Sequence, residues 1–269
     1  MIGSSRTSLA KVRETVNAAF DNPELEAAGR DLLRVADLVG REKQLRGALS
    51  DAGRPADERT SIVTGLLQGR ASQLAIDIAG TVAGQRWSTP SDMVDAYEFA
   101  GVECLFGAAE KSGDLDRVED ELFRFGRVAI ADADLQMVLS SPALPSENKS
   151  AIISDLLRDK ASPVTVEVLS FVTSHLRGRR LDQAVDQMAD LAAERRGKLV
   201  AVVRCARPLA NDQATRLAAV LERIYNQQVA INFEIDPALV GGITVQIGDE
   251  VIDGSISGRI ETARRRVTG

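Results

Sequence analysis

Histidine occurs once, as His175, and cysteine twice, as Cys104 and Cys205, among 269 residues. So few imidazoles and thiols exclude the usual zinc ligand sets. Two cysteines far apart in the chain cannot build a disulfide framework. They read as small apolar core residues in a reducing compartment. Aromatic residues are 4% of the chain, too few for base-stacking platforms. Net charge is −6, from 33 Lys+Arg against 39 Asp+Glu, so the basic face needed for sequence-independent nucleic-acid binding is missing. No stretch approaches the ~18 apolar residues of a membrane helix, and Met1 to Phe20 has no signal-peptide core. The expectation is a soluble cytoplasmic chain, free or seated on a membrane complex. Catalytic signatures are missing too. There is no G-x-x-x-x-G-K-[ST] and no G-x-S-x-G, and a single histidine rules out H-E-x-x-H.

What is present is helix. Hydrophobic residues make up 44% and charged residues 27%, ordinary for a globular chain with real cores, and the length suits two domains or one with an appendage. Leu115, Val118, Leu122 and Phe125 fall on one helical face. Pro23, Pro55, Pro90, Pro145, Pro163 and Gly178 punctuate such segments. Ser146, followed by Glu147, is expected to cap a helix start. Gly178 is expected to end one in the left-handed conformation.

The helical part repeats. Shifted so that Leu45 meets Leu135, it also matches Leu49, Ser50, Pro55, Ile62, Leu66 and Leu67 with Leu139, Ser140, Pro145, Ile152, Leu156 and Leu157. Asp57/Glu147, Arg59/Lys149, Thr60/Ser150 and Val63/Ile153 are conservative pairs between them. The register extends back to Leu25/Leu115 and forward to Ile78/Val168. Helices are expected near 6–20, 24–40, 42–50, 56–68 and 71–85 in copy one. Copy two is expected at 91–111, 114–131, 133–140, 146–158, 161–177 and 180–197. The segment from Ser91 to Lys111 closes one copy and opens the next.

Beyond Gly197 the period changes. Leu199–Val203, Val229–Ile235, Ile243–Ile247 and Glu250–Ile252 read as strands, the last two as a hairpin, with a helix near 212–226. A final helix starts at Asp253-Gly254-Ser255 and ends in Arg264, Arg265 and Arg266. The fold class is mainly α: a tandem duplicated helical bundle followed by a small C-terminal α/β module. Its boundaries fall at 1–95, 96–197 and 198–269. The polar candidates read as structural. His175 and the three arginines suit helix C-termini. Gly241-Gly242 reads as a tight turn, and Asp253-Gly254-Ser255 as a turn with an N-cap.

The run from Val240 to Ile260 resembles the C-terminal signature of the delta subunits of F-type ATP synthases, whose mitochondrial counterpart is the oligomycin-sensitivity-conferring protein. It holds Gly241, Gly242, Gly248, Asp249, Asp253, Gly254, Ser255 and Arg259. Gly178-Arg179-Arg180-Leu181 and Leu139-Ser140-Ser141-Pro142 fit helix junctions of that family, and the resemblance spans roughly residues 96–269. The preceding residues resemble the long actinobacterial form with a duplicated bundle. One departure is Gly101-Val102-Glu103-Cys104-Leu105-Phe106, where the family usually opens Tyr-Ala-x-Ala-Leu-Phe.

The resemblance implies a non-catalytic stator subunit without cofactor or metal. It would link the alpha/beta head to the b subunit and resist rotor torque, peripherally, at the cytoplasmic face of the plasma membrane. The alternative is a helical adaptor or scaffold unrelated to ATP synthase. In the family an alpha-subunit N-terminal helix docks between the first and fifth helices of the bundle. The implied walls are Val102, Leu105 and Phe106 facing Val164, Val168 and Phe171. The repeat adds a more polar counterpart, Val12, Thr15 and Val16 facing Leu74, Ile78 and Thr81, as a weaker second groove or a mere spacer. The C-terminal module is implied to hold the C-terminus of b. Replacing Gly242 by Val is expected to misfold that module. In pull-downs, b binding should be lost while alpha binding is kept.

Overall fold

A computed structural model of the chain describes residues 3–196, 199–207, 209, 211–225, 229–236, 239, 241–247 and 250–253. The chain forms two compact units, Met1–Arg196 and Gly197–Gly269.

In the first unit the helices are α1 (Ser4–Ala18), α2 (Leu25–Arg41), α3 (Lys43–Ser50), α4 (Ala56–Leu67), α5 (Gln73–Gly84), α6 (Pro90–Ser112), α7 (Leu115–Ala131), α8 (Ala133–Ser140), α9 (Ser146–Leu157), α10 (Pro163–Ser174) and α11 (Leu181–Arg196). The repeat is visible in the backbone. Pro55 and Pro145 precede α4 and α9 with φ/ψ of −54/146° and −55/147°. Ser72 and Ser162 cap α5 and α10, each hydroxyl accepting from a backbone N–H three residues on. Gly69 and Asp159 both take a positive φ, 70° and 58°.

Helix α6 is shared, as its sequence suggests. Met93, Tyr97, Ala100 and Cys104 enter one core with residues of α1 to α5. Val102, Leu105, Phe106 and Ala109 enter a second core with residues of α7 to α11. A helix apolar on all sides has to be buried on all sides, and Val102, Cys104, Leu105 and Phe106 are each 0% exposed.

Two expectations are corrected. The N-cap of α9 is Pro145, with no side-chain cap. The proline's fixed φ already turns the chain into the helix, and the Ser146 hydroxyl donates instead to the carbonyl of Ser174, at 3.3 Å. Helix α10 stops at Ser174 rather than near 177, because His175 leaves helical ψ (49°). Arg177 and Gly178 then follow at φ 47° and 84°, a turn that glycine permits.

The second unit carries β1 (Leu199–Cys205), α12 (Asn211–Tyr225), β2 (Val229–Ile235), β3 (Ile243–Ile247) and β4 (Glu250–Asp253). The sheet order is β2-β1-β3-β4, with β1 parallel to β2 and the other pairs antiparallel. β1 runs two residues past the expected end, since Arg204 and Cys205 pair on both sides, with Glu234 and Ile235 of β2 and Thr244 and Ile243 of β3. Ile247 lies opposite Glu250, as the hairpin reading required. Ala201, Val203, Leu221, Val229 and Val245 form the core. The expected final helix, with Ile256, Ile260 and Arg264 to Arg266, lies outside the described residues.

Helices α2 and α6 approach closely at paired glycines. A Cβ on Gly101 would meet Leu33 Cδ2 at 2.8 Å and the Gly29 carbonyl at 3.0 Å, while one on Gly65 would meet nothing within 4 Å. Gly101→Ala is therefore expected to cost about 1–3 kcal/mol by overpacking, and Gly65→Ala to gain up to about 1 kcal/mol. Urea unfolding of both variants measures the difference.

A second test concerns the cap of α10. Burial pushes the Glu121 carboxyl up, but the Thr165 hydroxyl, the Ser162 amide and Arg117 outweigh it and hold it below the usual range. A depressed carboxyl stabilises the fold above the ordinary glutamate range, about 4.3, and this stability is lost as pH falls through the folded value. The Tm gap between the wild type and Glu121→Gln should be largest near neutrality and close in acid.

Candidate functional site

The six groove residues do not form an open groove. Val102, Leu105, Phe106 and Val168 are 0% exposed and belong to one core. Val164 and Phe171 are half-buried and pack at its edge. What closes the seam between α6 and α10 is α2. Leu33, 3% exposed, joins the core of Val102 and Leu105. One turn to either side, Arg30 Nε donates to Glu167 at 3.0 Å, and His175 Nε2 lies 3.0 Å from Asp37. Copy one thus lays a helix along the seam that the resemblance assigns to a partner.

Between α2, α9 and α10 a pocket of about 290 Å³ remains, lined in part by Leu33, Ser150, Ser170 and Phe171. The His175 ring stacks on Phe171 at 4.3 Å, with Nδ1 2.8 Å from the Phe171 carbonyl. His175 therefore links α10 to α2, beyond the helix-end role read from sequence. Sequence reasoning missed this bridge because it treated each copy alone. The available signal was the small-residue approach of Gly29 and Gly101, which lets Leu33 reach into the second core.

Buried ion pairs fasten α6 to α11. Arg195, whose side chain is 2% exposed, binds Glu103 at 2.8 Å and Glu110 at 2.7 Å and lies over the Phe20 ring. Arg177 and Arg179 converge on the buried Glu98, and Arg177 also reaches Asp95 at 2.7 Å. Burial works against the Arg177 charge, and Glu98 and Asp95 outweigh it, so its affinity for the proton is raised. Such pairs fix geometry more than they add stability, and breaking one strands a buried charge.

Little here suits chemistry. Burial pushes the Cys104 thiol up to about 12, so it is no nucleophile at neutral pH. Among the described residues no group of three or more His, Cys, Asp or Glu is placed to hold a metal. No helix among them is long and apolar enough to cross a membrane.

Of the C-terminal signature, Gly241 and Gly242 form the bend before β3, and Gly242 has φ 83°. That left-handed value is what a tight turn needs and a β-branched residue resists. Asp253 ends β4, paired with Thr244. Gly248, Asp249, Gly254, Ser255 and Arg259 lie outside the described residues.

Comparison with known proteins places these observations. The sequence model of the family described as "ATP synthase delta (OSCP) subunit" matches residues 102–267, from the middle of α6 onward. Relatives described as ATP synthase subunit delta match copy one as well. The chain is 38% identical over 271 residues to that of Streptomyces griseus subsp. griseus, covering 100% of both chains. It is 40% identical over 269 residues to that of Beutenbergia cavernae, covering 97% of this chain and 99% of the relative. With that of Nocardia farcinica the identity is 39% over 269 residues, covering 99% and 100%.

Proposed function

The chain belongs to the ATP synthase delta (OSCP) subunit family and is a non-catalytic component of the peripheral stalk; we propose that its helical unit holds the catalytic head through alpha-subunit N-terminal helices, while its sheet unit holds the C-terminus of subunit b. On this reading residues 1–95, 96–197 and 198–269 are an added bundle, the delta-type bundle and the stalk-binding module. The site is the cytoplasmic face of the plasma membrane, where the subunit resists rotor torque.

A stator part must transmit force without yielding. The seam of buried ion pairs from Arg195, Arg177 and Arg179 to α6 suits that demand, because breaking any of them strands a charge. The observation that carries the alpha contact is the half-buried rim of Val164 and Phe171 on α10, beside the pocket under α2. A helix seated there adds apolar contact without opening the core, the helix-in-groove mode of recognition.

A second reading has its own support. Helix α2 lies along the α6/α10 seam, whereas α1 packs on α5 and α6 with Thr15 and Thr81 still partly exposed. In the counterpart groove of copy one Val12, Val16, Leu74 and Ile78 are core, and Thr15 and Thr81 form its open edge as Val164 and Phe171 do in copy two.

Titrating the full chain with an alpha N-terminal peptide tests both. Val164→Asp, at a helix start that tolerates an acid, is expected to weaken binding at least about tenfold, a loss of about 1.4 kcal/mol, with Tm nearly unchanged. Val168→Asp should lower both binding and Tm. Weakening by Thr15→Arg or Thr81→Arg, with Val164→Asp silent, would move the alpha helix to copy one. Binding unaffected by all of these would overturn the helical unit as the alpha site.

A further inference from the structure

The two copies differ at one face, and the difference points to a surface beyond the alpha and b contacts. On α2 the positions Arg30, Leu33 and Asp37 face copy two. Leu33 is 3% exposed, and the two charges pair with Glu167 of α10 and with His175 at its C-cap. Their counterparts on α7 are Asp120, Phe123 and Arg127. Phe123 is 58% exposed, and Ile130, two turns further along the same face, is 54% exposed. From Glu119 to Ile130 the strip is about 16 Å long at 1.5 Å per residue.

Large exposed apolar side chains in a row are a mark of an interaction surface. Here the fold itself supplies the precedent, since on the same face of the preceding copy Leu33 is buried and both charges are bridged to copy two.

The charges state what kind of helix fits. Between the copies their order is reversed: Arg30 becomes Asp120 and Asp37 becomes Arg127. Beside Phe123 a pocket of about 270 Å³ is lined by Asp116, Glu119, Asp120 and Asp190, with no lysine or arginine among its lining residues. The Asp120–Arg124 pair at 2.7 Å is on the surface, with side chains 52% and 74% exposed, and such pairs hold weakly.

We propose that the outer face of α7 docks an amphipathic helix of a neighbouring synthase subunit, running along α7 as α10 runs along α2. Helix α10 and the His175 that caps its end present Glu167, Phe171 and His175, four residues apart, to α2. The docked helix carries the reversed set: a lysine or arginine against Asp120, an apolar side chain over Phe123 four residues on, and a carboxylate against Arg127 four further. This is a third contact of the stalk subunit, and it rests on the family assignment only for the choice of complex.

The test is hydroxyl-radical footprinting of Phe123 in the isolated full chain and in purified synthase, with oxidation read by mass spectrometry. Fast oxidation in the isolated chain and at least tenfold slower oxidation in the synthase are expected. In a synthase carrying Asp120→Arg with Arg127→Asp, the protection should be lost. Equal rates in chain and synthase overturn the proposal, as does protection indifferent to the charge reversal. Slow oxidation already in the isolated chain means that the face is covered without the synthase, as by a second copy, and also overturns it. All of this is read in a synthase that contains the chain, so failure here leaves the peripheral-stalk assignment standing.

Discussion

One helix serves two cores, and the rest of the helical unit follows from that constraint. The N-terminal half of α6 closes the core of copy one, and its C-terminal half opens the core of copy two. Neither copy is complete without it, so the two cannot separate as beads on a string. The close glycine approach of Gly29 and Gly101 then fixes how near α2 lies. From that nearness come the burial of Leu33 in the second core and the bridges from Arg30 and Asp37 to α10. Packing density makes such an arrangement stiff, because close-packed interiors transmit strain instead of absorbing it.

Duplication with sharing has a consequence for partners. In a tandem array each unit covers a face of the one before it, and the ends are left different from the middle. Copy two covers α2, while α7 keeps Phe123 and Ile130 exposed. The same sequence position thus changes from core to surface between copies, with leucine in one and phenylalanine in the other. A peripheral-stalk subunit gains from such asymmetry, since each end can face a different neighbour.

Function here is mechanical, which is why the chain's polar chemistry is structural. Arg195, Glu103, Arg177 and Glu98 would draw attention as buried titratable groups in an enzyme, yet each finds its partner across a helix seam. His175 joins α10 to α2. The sheet unit, with its mixed order β2-β1-β3-β4 and the left-handed Gly242 before β3, is small and separately cored.

Local pattern was legible from the residues alone. Helix positions, the strands, the β3–β4 hairpin, the repeat and the double role of α6 all follow from apolar period, prolines and turn residues, which act over a few residues. The family signature was legible too, because turn residues such as Gly242 answer a local backbone demand. Which apolar residue is core and which is surface was not. Val102 and Leu105 are buried partly because α2 packs on them from far along the chain, whereas Phe123, on the amphipathic α7, meets no such helix among the described residues and stays 58% exposed. Periodicity tells a residue which side of its own helix it occupies. What stands against that side depends on contacts between segments distant in sequence, so only the tertiary structure decided it.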